Sequence, residues 1–285
     1  MLNSTAVCRN LCCAGLLVMG CSRELPTERA LSMTPEAPRS TALAAAPSEA
    51  TNASTAVVAA TTRGSGVAVV ELFTSEGCSS CPPADRVLSN LVARAKAESL
   101  PVFPLSFHVD YWNYLGWRDR FSDASYSDRQ RNYGPISAGG GTYTPQAVVN
   151  GEAECVGSDA SRIDALIGSA LKRAPRTQIA LEARRGEHGI EVSYRVSGET
   201  EARVINLALV EPRAETAVER GENAGERLGH VNVVRVFDSR PLSKGTTGSW
   251  SPAPSPDFQA RRVGVVAYVE GVSQRDVSGA AALEL

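Results

Sequence analysis

The chain has 285 residues, 43% of them hydrophobic, which is enough for one or two folded domains. Its 29 basic and 31 acidic residues are interspersed and give a formal net charge of −2. This balance argues against a dedicated nucleic-acid-binding surface, which would need a basic excess on one face.

The first 21 residues have the pattern of an export signal. Arg9 precedes a short apolar run, Leu11 to Met19, which has the length of a secretory signal core and is too short to span a bilayer. The run ends in Val-Met-Gly-Cys at Cys21, which resembles a bacterial lipoprotein box. We predict a signal peptide over residues 1–21 and an exported, periplasmic protein anchored to a membrane by a lipid on Cys21. A plain cleaved signal or an uncleaved one would export the chain as well.

Residues 22–65 are rich in Ala, Ser, Thr, Pro and Glu and show little hydrophobic periodicity. Such a segment cannot bury enough apolar surface to order itself. We predict a disordered tether that holds the folded part of the chain away from the membrane.

The first folded unit is predicted over residues 66–175 and carries a Cys-x-x-Cys motif. The apolar run Gly66 to Ser75 is typical of a buried parallel strand, and apolar residues recur at helical spacing after Cys81. The motif is therefore expected at the start of a helix, where backbone amides and the helix dipole favour a thiolate. We predict Cys78 as the nucleophile and Cys81 as the resolving thiol.

A second apolar run, Pro101 to His108, is followed by an aromatic segment. If the two strands are parallel, Asp110, Tyr111 and Trp112 lie near the cysteines, at the sheet edge where ligands bind in α/β sheets. We predict that Tyr111 and Trp112 contact the substrate. The alternative is that the tryptophans anchor a loop onto the core.

Farther along the chain, Thr144–Pro145 precedes a hairpin signal at Asn150–Gly151. A two-residue turn there would place Cys155 opposite Gln146. A third thiol close to the motif could shuttle electrons, although a small buried apolar residue is the usual role of a free cysteine.

The order strand, Cys-x-x-Cys, helix, strand and Thr-Pro before a hairpin resembles the thioredoxin superfamily. One branch, a family of exported bacterial proteins of unknown function, is similar in four blocks, "ELFTSEGCSSCPPAD", "LSFHVDYWNYLGW", "YTPQAVVNG" and "GENAGERLGHVNVVR". The resemblance implies an α/β thioredoxin-like fold and a redox centre. It also implies that Pro145 is cis and, with Thr144, binds the substrate backbone.

The resemblance leaves the proton acceptor for Cys81 open. Thioredoxins use a buried acid on the first strand, but Leu72 takes that position here. Glu71, His108 and Asp110 are the candidate acceptors. No basic side chain lies between the two cysteines, so the sequence does not predict the reduction potential.

From residue 176 to residue 285 the pattern changes to strand-like alternation, as in "IEVSYRV" and "RVGVVAYV". We predict a mostly β, antiparallel, sandwich-like domain. The paired arginines Arg184–Arg185 and Arg261–Arg262 are typical of solvated strand edges, and His230 is predicted at the surface or in a loop.

We predict an extracytoplasmic thiol–disulfide oxidoreductase that acts on a protein or small-molecule thiol or disulfide, with a redox-active disulfide and no other cofactor. A copper-binding chaperone is the alternative, because the two cysteine thiolates are soft ligands and His108 could be a third ligand. Zinc would want a second cysteine pair. A third interpretation is a non-catalytic binding module in which the disulfide is structural. However, a Cys78–Cys81 bridge closes a very small loop and would add little to the stability of the fold.

Overall fold

The computed structural model describes residues 55–58, 66–137, 140–186, 189–258 and 261–285. The predicted signal peptide, Cys21 and most of the predicted tether lie outside these ranges. Within the tether range, Thr55–Val58 form the strand β1. None of the helices in the described ranges has the length and apolar character needed to cross a membrane.

The described residues form twelve strands and three α-helices. The helices are α1 Pro82–Ala97, α2 Ala124–Arg131 and α3 Ala160–Leu171. The strands are β1 Thr55–Val58, β2 Ala68–Thr74, β3 Val102–His108, β4 Gln146–Val149, β5 Ala153–Val156, β6 Thr177–Gly186, β7 Gly189–Gly198, β8 Arg203–Ala217, β9 Arg227–Pro241, β10 Thr247–Trp250, β11 Gly264–Gly271 and β12 Val277–Glu284.

The larger of the two sheets is mixed and contains eight strands in the order β12-β11-β8-β9-β3-β2-β4-β5. Strands β2 and β3 are parallel, with Ala68 opposite Val102, and β3 is also parallel to β9, where Ser106 lies opposite Val233. A smaller antiparallel sheet has the order β1-β6-β7-β10. The β3–β9 pairing joins the C-terminal strands to the cysteine-bearing part in one sheet.

The predicted fold class, an α/β thioredoxin-like domain followed by a mostly β antiparallel domain, is wrong. The local elements around the cysteines are present as β2, α1 and β3. However, the described chain is mostly β, and β8, β9, β11 and β12 extend the same sheet instead of forming a separate domain. Pairing between strands far apart in the chain leaves no local periodicity, so the sequence pattern did not reveal it.

Alternate side chains of β2 and β3 point to opposite faces of the large sheet. Leu72 lies on the face that packs against α1 and α3, whereas Phe73 and Phe107 pack with Tyr126 of α2 in a second core. Glu71 is therefore on the face opposite α1.

Helix α1 buries one stripe of side chains at helical spacing against the sheet. The stripe consists of Cys81, Ala84, Asp85, Leu88, Leu91 and Ala95. Burying each leucine stabilises the contact by about 1.5–3 kcal/mol. Asp85 is the one charged residue in this stripe, and it lies one turn after Cys81.

Candidate functional site

Cys78 and Cys81 form a disulfide at the start of α1, with 5.4 Å between their Cα atoms. Both residues are 0% exposed, whereas Ser79 and Ser80 between them are exposed. The disulfide is therefore buried in this conformation, although the two residues between its cysteines lie at the surface.

Two hydroxyl groups lie beside the Cys78 sulfur. Thr144 Oγ1 donates a hydrogen bond to Cys78 Sγ at 3.2 Å, and Ser80 Oγ is 3.3 Å from the same atom. Trp112 Nε1 donates to Thr144 Oγ1 at 2.7 Å. The threonine hydroxyl thus accepts from the tryptophan and donates its own proton to the sulfur. Hydrogen bonds of this kind stabilise a thiolate relative to a thiol.

Backbone amides of the first helical turn, which we expected to stabilise the thiolate, do not lie free at the sulfur. Pro82 and Pro83 have no N–H group. The Cys81 N–H donates to Cys78 O at 3.1 Å, and the Ala84 N–H donates to Cys81 O at 2.9 Å. Side-chain hydroxyls, together with the dipole of α1, therefore provide the favourable field at Cys78.

The Thr144–Pro145 segment lies directly against the cysteines. Its peptide bond is cis, and Ser80 Oγ donates to Thr144 O at 3.5 Å. Pro145 is buried, and its carbonyl accepts from the Gly157 N–H at 2.9 Å. A Cβ on Gly157 would lie 2.5 Å from Leu72 Cδ1 and 3.2 Å from Pro145 Cβ, so a larger residue would require Leu72 to shift.

The two aromatic residues predicted to contact substrate are half-buried and already have hydrogen-bond partners. Trp112 positions Thr144, as described above, and Tyr111 OH donates to Gln130 Oε1 at 3.0 Å. In this conformation their polar groups orient the site.

Two of the three predicted proton acceptors lie away from the cysteines. Glu71 is on the opposite face of the sheet, where Arg129 Nε and Nη2 bind its carboxylate at 2.6 and 2.7 Å. Asp110 accepts a hydrogen bond from Ser127 Oγ at 2.5 Å, on α2.

The third candidate, His108, is on the same face as α1 and is fully buried. Its Nδ1 is 2.6 Å from Asp119 Oδ2. Burial alone would lower the pKa of His108, but the carboxylates of Asp119, Asp85 and Glu76 raise it above its usual value. Burial would likewise raise the pKa of Asp119, and the histidine lowers it.

His230 of β9 was predicted at the surface or in a loop, and that prediction is wrong. Its side chain is 0% exposed, and its ring lies 4.7 Å from the ring of His108 at an angle of 82°. Its Nε2 is 3.5 Å from Glu76 Oε1, and its Nδ1 is 3.6 Å from Asp85 Oδ2. Alternation in "RLGHV" puts Leu228 and His230 on one face of the strand, and this signal could have identified it.

Asp85 is the buried carboxyl nearest to Cys81 along α1, and sequence reasoning missed it. Its N–H donates to Cys81 O at 3.1 Å, and Thr74 Oγ1 donates to its Oδ1 at 3.1 Å. Burial raises the pKa of Asp85, although the two histidines oppose this shift. A charged residue inside the apolar stripe of a predicted helix was the available signal.

The cluster of Glu76, Asp85, His108, Asp119 and His230 contains unused hydrogen-bonding atoms. Among the described residues, Glu76 Oε1, His108 Nε2 and both ring nitrogens of His230 are buried without a hydrogen-bond partner. The cluster therefore contains buried polar atoms that could form further hydrogen bonds. In the same described ranges, no three His, Cys, Asp or Glu side chains are arranged to hold a metal ion.

A loop between β8 and β9 is hydrogen-bonded to the segment that carries Cys78. Asn223 Nδ2 donates to Glu76 O at 2.9 Å and to Cys78 O at 3.0 Å. The Ser79 N–H donates to Glu222 Oε2 at 3.0 Å. The C-terminal half thus contributes Asn223 to the site, which no local sequence pattern predicted.

Cys155 lies opposite Ala147 and not, as predicted, opposite Gln146. The hairpin loop contains Glu152 in addition to Asn150–Gly151, which shifts the register by one residue. Burial, with help from nearby carboxylates, raises the pKa of Cys155 to about 11. The residue therefore stays a thiol near neutral pH, which disfavours the electron-shuttle role.

Comparison with known proteins gives a family and a fold. Residues 69–270 match the family described as "Protein of unknown function (DUF1223)". A crystal structure of protein AGR_C_4864 from Agrobacterium tumefaciens is similar with a TM-score of 0.52 and 26% identity, over 76% of this chain and 94% of that chain. HBP35 of Porphyromonas gingivalis is similar in fold, with a TM-score of 0.54, 12% identity and coverage of 77% and 75%. No curated protein sequence matches.

The predicted membership of the thioredoxin superfamily is wrong. The matching family is described without a function, and neither similar structure is identified by its name as a thioredoxin. The fold itself is mostly β around a mixed eight-stranded sheet. The four sequence blocks that carried the resemblance lie around the disulfide in this sheet.

Proposed function

Because the chain belongs to the DUF1223 family of proteins of unknown function, we propose its function from the site alone: thiol–disulfide exchange at Cys78 and Cys81. The observation that carries the proposal is the hydrogen bond from Thr144 Oγ1 to Cys78 Sγ at 3.2 Å. A donor aimed at one sulfur of a disulfide favours that sulfur as the thiolate when the bond is reduced.

The proposed exchange proceeds in two steps. The Cys78 thiolate attacks one sulfur of a substrate disulfide, so a mixed disulfide forms and the other substrate sulfur leaves as a thiolate. Cys81 then loses its proton and attacks Cys78 Sγ, which forms the Cys78–Cys81 bond and releases the second substrate sulfur. Two electrons pass from the protein to the substrate, and the reverse sequence oxidises a substrate dithiol.

Two features support Asp85 as the group that receives the proton of Cys81. The residues are four apart on the buried face of α1, and side chains at this spacing are neighbours. Burial raises the pKa of Asp85, which brings a carboxylate closer to proton exchange with a thiol. His108, a predicted acceptor, belongs to the same buried cluster, where its charge lowers the pKa of Asp85.

Because the Cys78 sulfur is buried, the proposed exchange requires a motion that exposes it. Cys78 is 0% exposed, and an attacking or receiving sulfur must reach it within bonding distance. The hydrogen bonds of Asn223 and Glu222 to the motif connect the β8–β9 loop to residues 76–79. We expect these hydrogen bonds to break when the motif moves to expose the sulfur.

Export is part of the proposal. Residues 1–21 support delivery to an oxidising compartment, where a dithiol is found as a disulfide. Lipid attachment at Cys21 would hold the domain at a membrane. A purely structural bridge has less support, because a disulfide over so few residues removes little chain entropy.

Trapping a mixed disulfide tests the proposal. Cys81→Ser is expected to accumulate adducts through Cys78 when the reduced protein is mixed with a disulfide-bonded protein or oxidised glutathione, because the resolving thiol is missing. Peptide mass spectrometry under non-reducing conditions locates the adduct.

The matched control is Cys78→Ser, which keeps only the second thiol of the pair. It should form at least about tenfold less adduct, because the thiolate is the nucleophile and its hydroxyl donors surround position 78. Equal labelling of the two variants, or no adduct with either probe, would remove thiol–disulfide exchange as the function.

A further inference from the structure

A groove follows α1 from the disulfide end to the C-terminus of the chain. Its first part is a cavity of about 340 Å³ between Pro82 on α1 and strands β8 and β9. Its second part, about 700 Å³, extends to Leu285. Both parts are lined by Ser89, Arg213 and Val231, so they are continuous.

Basic side chains without partners line this groove. Arg86 and Arg213 line the first part, and Arg213, Arg261 and Arg262 line the second. All four are exposed, and within the described ranges none of their side chains forms an ion pair or a hydrogen bond.

The carboxylates of the groove do not balance these charges. Asp85 is buried and bonded to Thr74. The others are paired with basic side chains, as Glu215–Arg227 at 2.8 Å, Glu211–Arg235 at 2.6 Å and Glu284–Lys96 at 3.3 Å. The lining therefore carries six basic and four acidic side chains, a net charge of +2 on a chain whose net charge is −2, and four of its arginines have no ion-pair partner among the described residues.

We infer that this groove is a docking site for an acidic, extended segment of a partner protein. The part of α1 beside it, Pro82 to Lys96, is about 20 Å long at about 1.5 Å per residue. That length fits about six residues of extended chain at about 3.3 Å each. Guanidinium groups bind carboxylates with two parallel hydrogen bonds, which suits Asp and Glu side chains along such a segment.

The lining favours a polypeptide over a nucleic acid. No Phe, Tyr or Trp lines either described cavity, so bases would have no aromatic surface on which to stack. The spread of the arginines over two joined cavities exceeds the size of a single small anion.

The docking site goes beyond the proposed exchange reaction and does not depend on it. Pro82 is adjacent to Cys81, so a docked segment would reach the disulfide end of α1. Binding can be measured with both cysteines intact and without any redox step.

Fluorescence anisotropy of labelled hexaglutamate with the full chain, at low ionic strength, tests the inference. We expect binding that weakens with added salt and is absent for hexaglutamine. Arg213→Glu/Arg262→Glu should weaken hexaglutamate binding at least about tenfold, because four units of charge change within the groove.

The matched control is Arg195→Glu/Lys244→Glu, which makes the same change in net charge at two exposed positions outside the groove. It should alter the dissociation constant for hexaglutamate less than about twofold, because neither position lines the groove. Absence of hexaglutamate binding, equal loss in the two double variants, or tighter binding of a single-stranded oligonucleotide or of inorganic phosphate than of hexaglutamate would each overturn the docking site. Circular dichroism melting of each variant verifies that it is folded.

Discussion

Replacing Arg129 with methionine is expected to lower the free energy of unfolding by about 3–5 kcal/mol, because buried Glu71 loses its counter-charge and buried Glu270 keeps only that of Arg275. Arg129 Nε is 2.6 Å from Glu71 Oε2, and Arg129 Nη2 is 3.0 Å from Glu270 Oε2. Both glutamates are 2% exposed. Methionine keeps an unbranched apolar side chain in place of the arginine's methylene groups, so the loss reports mainly the missing charge and hydrogen bonds.

Urea denaturation at neutral pH measures this change, with Arg131→Met as the control on the same helix. Arg131 pairs with Asp128 at the surface, so its replacement should cost less than about 1 kcal/mol. Comparable losses in the two variants would contradict the structural role of Arg129. Alkylation of Cys78 in folded Arg129→Met should be unchanged, because Glu71 lies on the face of the sheet opposite α1.

The second large effect is expected from Asp119→Asn, which removes the charge beside buried His108. The two side chains are 2.6 Å apart and 0% exposed. Breaking such a pair costs about 3–5 kcal/mol of unfolding free energy. We expect the largest cost between the ordinary pKa values of the two groups, 3.8 for Asp and 6.5 for His.

This pH window follows from the directions of the two pKa shifts. The pKa of Asp119 is lowered, so its stabilisation is present above 3.8 and is lost as the pH falls through the lowered pKa. The pKa of His108 is raised, so its stabilisation is complete below 6.5 and is lost as the pH rises through the raised pKa. The unfolding free energies of wild type and variant should therefore converge in strong acid and at alkaline pH.

Denaturation series across this pH range check the prediction. Asp128→Asn, which removes an exposed carboxylate of a surface pair, should give a small and nearly constant difference from wild type. A difference for Asp119→Asn that keeps growing as the solution becomes alkaline would contradict a protonated His108 in the pair.

Local patterns in the sequence predicted the elements that hold the cysteines, because burial on one face of a strand or helix leaves a periodic trace. The strand before Cys78, the helix after Cys81 and the strand ending at His108 are all present. The hairpin after Thr144 was predicted with its turn residues, Asn150 and Gly151, which both have positive φ. Its register was off by one residue.

The tertiary arrangement left no such trace. Nothing in "NVVRVF" indicates that Val233 lies beside Ser106 in the parallel pair β9–β3, and this pair turned two predicted domains into one sheet. His230, also on β9, packs against the ring of His108. Asn223 reaches the motif from a loop, and loops have no hydrophobic period that could predict a contact. Reasoning from sequence therefore located the Cys78–Cys81 pair and the Thr144–Pro145 segment beside it, and missed Asp85, Asn223 and the buried position of His230.

The pH at which Cys78 ionises tests thiol–disulfide exchange most directly. It can be measured from the rate of iodoacetamide alkylation of the Cys78 peptide in reduced Cys81→Ser, followed by mass spectrometry over a pH series. We expect a pKa below the ordinary cysteine value of about 8.5, and Thr144→Val should raise it by about one unit, because a hydrogen bond to a charged group is lost. A Cys78 pKa at or above the ordinary value, unchanged by Thr144→Val, would contradict a stabilised thiolate at this position.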